Sequence, residues 1–171
     1  MQLIAPSLFF ETEFSTFCDD YIHNDPENAE YYLDGQSNFA HYVQRLLDEE
    51  QGINLKTGYV PCSHYWLVNS DKSIVGVIRV RHNIDSDFLR LEGGHVGYDI
   101  APAFRKLGHG KTMLKLALLK AKALGLQRVL VTVDEDNIAS RKIIVSCGGE
   151  LESIEMGKVF ANLLARYWVS C

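Results

Sequence analysis

The chain has 171 residues, 47% of them apolar and 23% charged, which suits one soluble globular domain with a core of its own. The formal net charge of −5 argues against a general nucleic-acid binder, and no run approaches the ~18 apolar residues of a membrane span. Met1 to Phe10 carries no base and is interrupted by Pro6 and Ser7, so no signal peptide is expected. Cys18, Cys62, Cys147 and Cys171 are widely spaced with no paired motif. They read as free thiols in a reducing cytoplasm.

Phe9 to Ile22 is amphipathic and acidic and reads as a helix, which Asp25-Pro26 interrupts. Ser37 is placed to cap a second helix to about Glu50, with Phe39, Val43, Leu46 and Leu47 at near-helical spacing. After a loop, His64 to Asn69 and Ser73 to Arg81 read as a hairpin. Asp85 to Gly94 looks irregular, and His95 to Ile100 is a short strand ended by Pro102. Lys111 to Leu124 is rich in Ala, Leu and Lys and stops at Gly125, a helix pattern. Gln127 to Val133 is an apolar run fit for a buried central strand. Asn137 is an N-cap candidate for a helix through Val145, and Glu150 to Glu155 and Leu163 to Val169 are strands. The order predicts a single α/β (α+β) domain with a mixed sheet.

Charge is segregated along the chain. Residues 1–50 hold eleven acids and one base, Arg45, whereas residues 101–130 hold seven bases and no acid. Four of those bases lie on the Lys111–Leu124 helix or its end; Arg105 and Lys106 open a glycine-bearing loop, Arg105-Lys106-Leu107-Gly108-His109-Gly110. A helix entered from such a loop presents unpaired N–H groups and a positive dipole end, which together suit phosphates. A Walker A loop would need glycine where Arg105 stands, and a dinucleotide fingerprint would need glycine where Met113 stands. The pattern that is complete is Arg-x-x-Gly-x-Gly.

In that pattern the sequence resembles the GCN5-related N-acetyltransferase (GNAT) family, whose signature is [Arg/Gln]-x-x-Gly-x-[Gly/Ala] at the start of a long helix. The Val-rich strand and the Asn137-x-x-Ser140 segment that follow match the family's next block. Gly94-His95-Val96-Gly97-Tyr98 is similar to a subgroup of largely unassigned substrate. The resemblance is strongest over 63–150; residues 1–60 and 151–171 match only in element order. It implies one domain over 1–171: N-terminal helices walling the acceptor site, an acetyl-CoA-binding core and C-terminal strands. The implied sheet is mixed but mostly antiparallel, and splayed at its fourth strand.

The implied activity is acetyl-CoA-dependent N-acetylation of a small-molecule or peptide amine by direct attack, with no metal. Arg105, Lys106, Leu107, Gly108, His109, Gly110 and Lys111 would hold the pyrophosphate. The stretch Tyr98, Asp99 and Ile100 would supply the backbone N–H that polarises the thioester, and Asn137 and Ser140 would border the pantetheine arm. Glu92 and His95, upstream of the loop, are the expected bases, His95 with an ordinary pKa near ~6.5. Strand alternation puts His95, Gly97 and Asp99 on one face and Val96, Tyr98 and Ile100 on the other. The tyrosine that commonly protonates the departing thiolate is replaced by Ile144, so either another group, with Tyr98 as a candidate, or water would supply that proton. That replacement also keeps open a non-catalytic acyl-CoA-binding module. The acidic N-terminal half and Glu150, Glu152 and Glu155 suggest a cationic amine acceptor. Acetyl-CoA and that amine are the expected partners, a homodimer is allowed, and nucleic acid and membrane are not expected.

Overall fold

A computed structural model describes residues 1–171. In chain order the elements are β1 (Gln2–Ile4), α1 (Glu11–Asn24), α2 (Pro26–Ala29), α3 (Leu33–Ser37), α4 (Phe39–Gln51), β2 (Cys62–Val68) and β3 (Ile74–Arg81). Then come β4 (Val96–Ile100), α5 (His109–Ala123), β5 (Arg128–Asp134), α6 (Ile138–Ser146), β6 (Glu150–Met156) and β7 (Leu163–Ser170). The seven strands form one sheet in the order β1-β2-β3-β4-β5-β7-β6. Every pairing is antiparallel except β4 with β5. No helix is long and apolar enough to cross a membrane.

Alternation along the strands feeds two separate cores. Leu67, Ile78, Val80, Val96, Val129 and Val131 turn to one face and pack under α5 and α6, around Met113, Leu114, Ala117 and Ile144. Trp66, Val68 and Ile74 turn to the other face and meet Phe14, Phe17, Tyr21, Phe39 and Tyr42 from α1 and α4. The rings there interlock closely, with Phe14 4.9 Å from Tyr42 and 5.5 Å from Trp66. Burying one such ring contributes about 1.5–3 kcal/mol, whereas an exposed ion pair contributes at most about 1 kcal/mol. Aromatic burial, rather than charge, therefore attaches the acidic helical layer to the sheet.

Several local expectations change. The cap of α4 is Asn38, whose side chain accepts from the His41 N–H at 3.1 Å. Ser37 instead closes α3 and donates to the Leu33 carbonyl. The irregular 85–94 stretch contains one wide π-type turn, Leu89–Gly93. Strand β1 and the short helices α2 and α3 are additions to the sequence reading. β1 exists only because β2 offers it an edge, with Leu3 opposite Leu67. Asn137 does cap α6, accepting from the Ser140 N–H at 3.0 Å.

Candidate active site

Strands β4 and β5 share a single register pair, Val96 opposite Val131. Beyond it they diverge, so a split opens along the C-terminal half of β4. The β3–β4 ladder determines which peptide groups face that split. Ala101 N–H donates to the Val75 carbonyl and Arg81 N–H to the His95 carbonyl. Hydrogen-bonded pairs alternate along an antiparallel ladder, so Gly97 and Asp99 also turn their peptide groups toward β3. Tyr98 and Ile100 turn theirs into the split. The Ile100 carbonyl is already taken by the Arg105 Nε–H at 2.9 Å, which leaves the Tyr98 and Ile100 N–H groups and the Tyr98 carbonyl as the polar lining. Asp99, expected among the backbone donors, is excluded by this phase, and its carboxylate accepts from the Tyr32 hydroxyl at 2.9 Å.

At the open end of the split, the backbone turns sharply into α5. Lys106 (φ 64°) and Gly108 (φ 82°) both take the left-handed conformation, which glycine adopts freely. No backbone N–H from Lys106 to Lys111 meets a carbonyl; the first helical bond is Thr112 N–H to the Gly108 carbonyl. Six consecutive donors thus gather at the positive end of a 15-residue helix. Gly110 is small for a packing reason, since a Cβ there would lie 2.7 Å from Ile143 Cδ1 of α6. Leu107 is exposed and the His109 ring stands edge-on to Phe104. The Arg105 guanidinium, expected to add charge for the phosphates, points the other way. It bonds Asp25 at 2.5 Å and lies over the Tyr21 ring, so Arg105 ties this loop to α1 and α2.

Across the split, the first turn of α6 brings Ser140 Oγ within 2.7 Å of the Tyr98 hydroxyl. Burial pushes the Tyr98 pKa up to about 12, against the lowering effect of the Ser140 hydrogen bond. Ile144 is fully buried in the core beneath α6. Arg141 turns away to Tyr167 and Glu135.

The two expected bases are both held by backbone N–H groups. His95 is 5% exposed, and its Nδ1 accepts the Leu130 N–H at 2.9 Å. A neutral imidazole has one acceptor nitrogen, so that bond puts the proton on Nε2 and uses the only lone pair. Burial, and then the nearby Arg81 charge, lower its pKa to about 4. The Glu92 carboxylate accepts three backbone N–H groups, from Lys158, Val159 and Phe160, at 2.7 to 2.9 Å. Burial alone would raise its pKa, but the three donors outweigh it and hold it below the ordinary value. Glu92 is therefore a clasp on the β6–β7 loop.

Several carboxylates of residues 1–50 are engaged by neighbouring groups. Asp25 holds Arg105, Glu49 holds Arg45 and His64, and Glu50 accepts from Ser63. A cavity of about 520 Å³ between α1 and Ala101–Phe104 is lined by Glu13, Asp19 and Asp20. Asp19 there accepts from Gln36, and Asp20 from the Ala103 N–H.

A family model for the acetyltransferase (GNAT) domain matches residues 11–150. The chain belongs to the GNAT acetyltransferase family. Solved structures share its fold at low identity. The ribosomal-protein-S5-alanine acetyltransferase from Vibrio fischeri aligns with a TM-score of 0.73 at 14% identity, over 98% of this chain and 91% of that one. The microcin C7 self-immunity acetyltransferase, in complex with acetyl-CoA and AMP, gives 0.69 at 16% identity over 99% and 91%. The spermidine N-acetyltransferase from Vibrio cholerae, in complex with CoA and spermine, gives 0.65 at 15% identity over 99% and 94%. No curated protein matches the chain by sequence.

Proposed function

We propose that this protein transfers the acetyl group of acetyl-CoA directly to the nitrogen of a small-molecule or peptide amine. The observation that carries this reading is the run of six unpartnered N–H groups at the start of α5, opening onto the split beside β4. Phosphates suit those donors, with the exposed Lys106 and Lys111 adding positive charge. The Tyr98 and Ile100 N–H groups suit the pantetheine amide and the thioester oxygen. The amine lone pair attacks the thioester carbonyl, a C–N bond forms, and the C–S bond breaks. Tyr98, paired with Ser140, supplies a proton to the departing thiolate. The ammonium proton goes to water: the one lone pair of His95 is taken by the Leu130 N–H, and the three backbone donors on Glu92 make its carboxylate a weaker base. Residues 1–60 wall the acceptor side.

The non-catalytic alternative loses its main support, since the Tyr98–Ser140 pair offers an acid in place of the missing tyrosine. The test is calorimetric titration with acetyl-CoA together with CoA release across a panel of amines. Binding with acetyl-CoA-dependent release is expected; binding without release for any amine supports the non-catalytic module.

A further inference from the structure

We propose that the acceptor amine carries a carboxylate, and that Arg79 binds it in a cavity on the face of the sheet opposite α5. The inference rests on the acetyltransferase reading and specifies its acceptor. Arg79 lies on β3, opposite Gly97 of β4. Its Nε is buried with no hydrogen-bond partner. Other arginines are engaged: Arg45 with Glu49, Arg105 with Asp25, Arg141 with Glu135 and Arg166 with Glu152. Arg81 donates to the Gly93 and Gly94 carbonyls. A chain with 22 acidic residues thus leaves the buried Nε–H of half-buried Arg79 without a carboxylate partner. Such an arrangement is costly, and it is relieved when an anion arrives.

The surroundings fit a carboxylate. Arg79 borders a cavity of about 120 Å³ whose wall includes Tyr31, Tyr32, Tyr42 and Gly97, and no Asp or Glu. Arg45 and His64 also line it, but both are satisfied by Glu49. Gly97 makes the room: a Cβ there would lie 2.8 Å from the Arg79 Nε. The volume is that of roughly four water molecules, enough for a carboxylate on a short methylene stem and too small for a nucleotide. Guanidinium and carboxylate match as planar, two-bond partners.

The position also fits. Gly97 directly follows Val96, the last residue of β4 paired to β5, so the cavity flanks the closed apex of the split. The phosphate-suited donors lie at the opposite end of β4, under α5. An amine that reaches the apex from the Arg79 face meets the acyl group from the side opposite the helix, with its charged end anchored. Asp99, two residues along the same face, is about 7 Å further on. It is held by Tyr32 and so does not fill the cavity.

The probes are 4-acetamidobutyrate, a product-like carboxylate, and its neutral amide, titrated in the presence of CoA and followed by the NMR signals of the Arg79 Nε–H and of Gly108 and Gly110. The carboxylate should shift the Arg79 signal saturably and bind at least about tenfold more tightly than the amide. Arg79→Gln should remove that preference, and Arg79→Lys, which keeps the charge, should retain part of it. Equal affinity for the two probes, no binding of the carboxylate by the wild-type protein, or an unchanged preference in Arg79→Gln would overturn the proposal. The wild-type comparison stands even if a variant fails to fold. Loss of the Gly108 and Gly110 response to CoA would count against the acetyltransferase reading alone.

Discussion

The hydroxyls of Tyr98 and Ser140 lie 2.7 Å apart, joining the splayed end of β4 to the first turn of α6. Two elements 42 residues apart in sequence thereby place one dissociable proton on the lip of the split. Tyr98→Phe should leave acetyl-CoA affinity within threefold and lower kcat by about 10²-fold, the lower range for a general acid. Because the Tyr98 pKa is about 12, the phenol stays protonated at neutral pH, and no fall in rate between pH 7 and 10 should trace to it. Steady-state pH–rate profiles of the wild type and Tyr98→Phe check both points. A loss of less than about threefold would remove Tyr98 from the chemistry.

The two loop glycines should fail differently. At Gly108 a Cβ meets nothing within 4 Å, so the obstacle is its φ of 82°. Gly108→Val should cost about 1–2 kcal/mol of stability while reducing CoA affinity more than tenfold. Gly110→Val drives a side chain into Ile143 and should also lower Tm, by loosening α5 from α6. Thermal unfolding beside calorimetric CoA titration separates the two. Unchanged CoA affinity in Gly108→Val would refute the phosphate role.

Glu92 is expected to act through the β6–β7 loop. Glu92→Gln replaces one acceptor oxygen by an NH₂ group facing backbone N–H donors, so the loop at 157–162 should loosen. Proteolytic nicking there should speed up and the acceptor KM should rise, with kcat reduced less than tenfold. A loss of 10²-fold or more in kcat with unchanged KM would return Glu92 to the role of base.

His95 should make stability depend on pH. Unfolded, the imidazole binds a proton below its ordinary value of 6.5; folded, it does so only near 4. Between these values the unfolded state holds more protons, so stability rises with pH and is lost as pH falls from 6.5 toward 4. His95→Gln removes the titration and should flatten this part of the Tm–pH curve. His95→Ala leaves the Leu130 N–H unpaired and should cost roughly 1–3 kcal/mol, with kcat at neutral pH changed less than tenfold. A wild-type Tm that does not fall between pH 6.5 and 4.5 would contradict the assignment.

Local pattern in the sequence determined much of this protein. A hairpin pattern marked β2 and β3, a short strand ended by Pro102 marked β4, an apolar run marked β5, the Ala–Leu–Lys run marked α5, Asn137 marked the start of α6, and Arg-x-x-Gly-x-Gly marked a phosphate-suited turn. Each of these rests on contacts within a few residues, or on which face of an element is apolar. Elements without such a signal were missed: three-residue β1 depends on the edge of β2, and short α2 and α3 depend on the aromatic cluster beneath them.

The roles of polar side chains were decided only by the tertiary structure. Glu92 and His95 stand where a base would be sought in the sequence, yet the Leu130 N–H takes the one lone pair of His95 and three backbone N–H groups at 158–160 hold the Glu92 carboxylate. Arg105 belongs to the signature, yet Asp25 draws its charge away from the loop. Arg79 looks like one more polar residue on an alternating strand, yet its buried Nε–H is left without a partner. The spacing of residues along a chain fixes backbone conformation, because that is set locally by sterics and hydrogen bonding. Which charges are neutralised, and which remain free to act, depends on what folding brings alongside them from elsewhere in the chain.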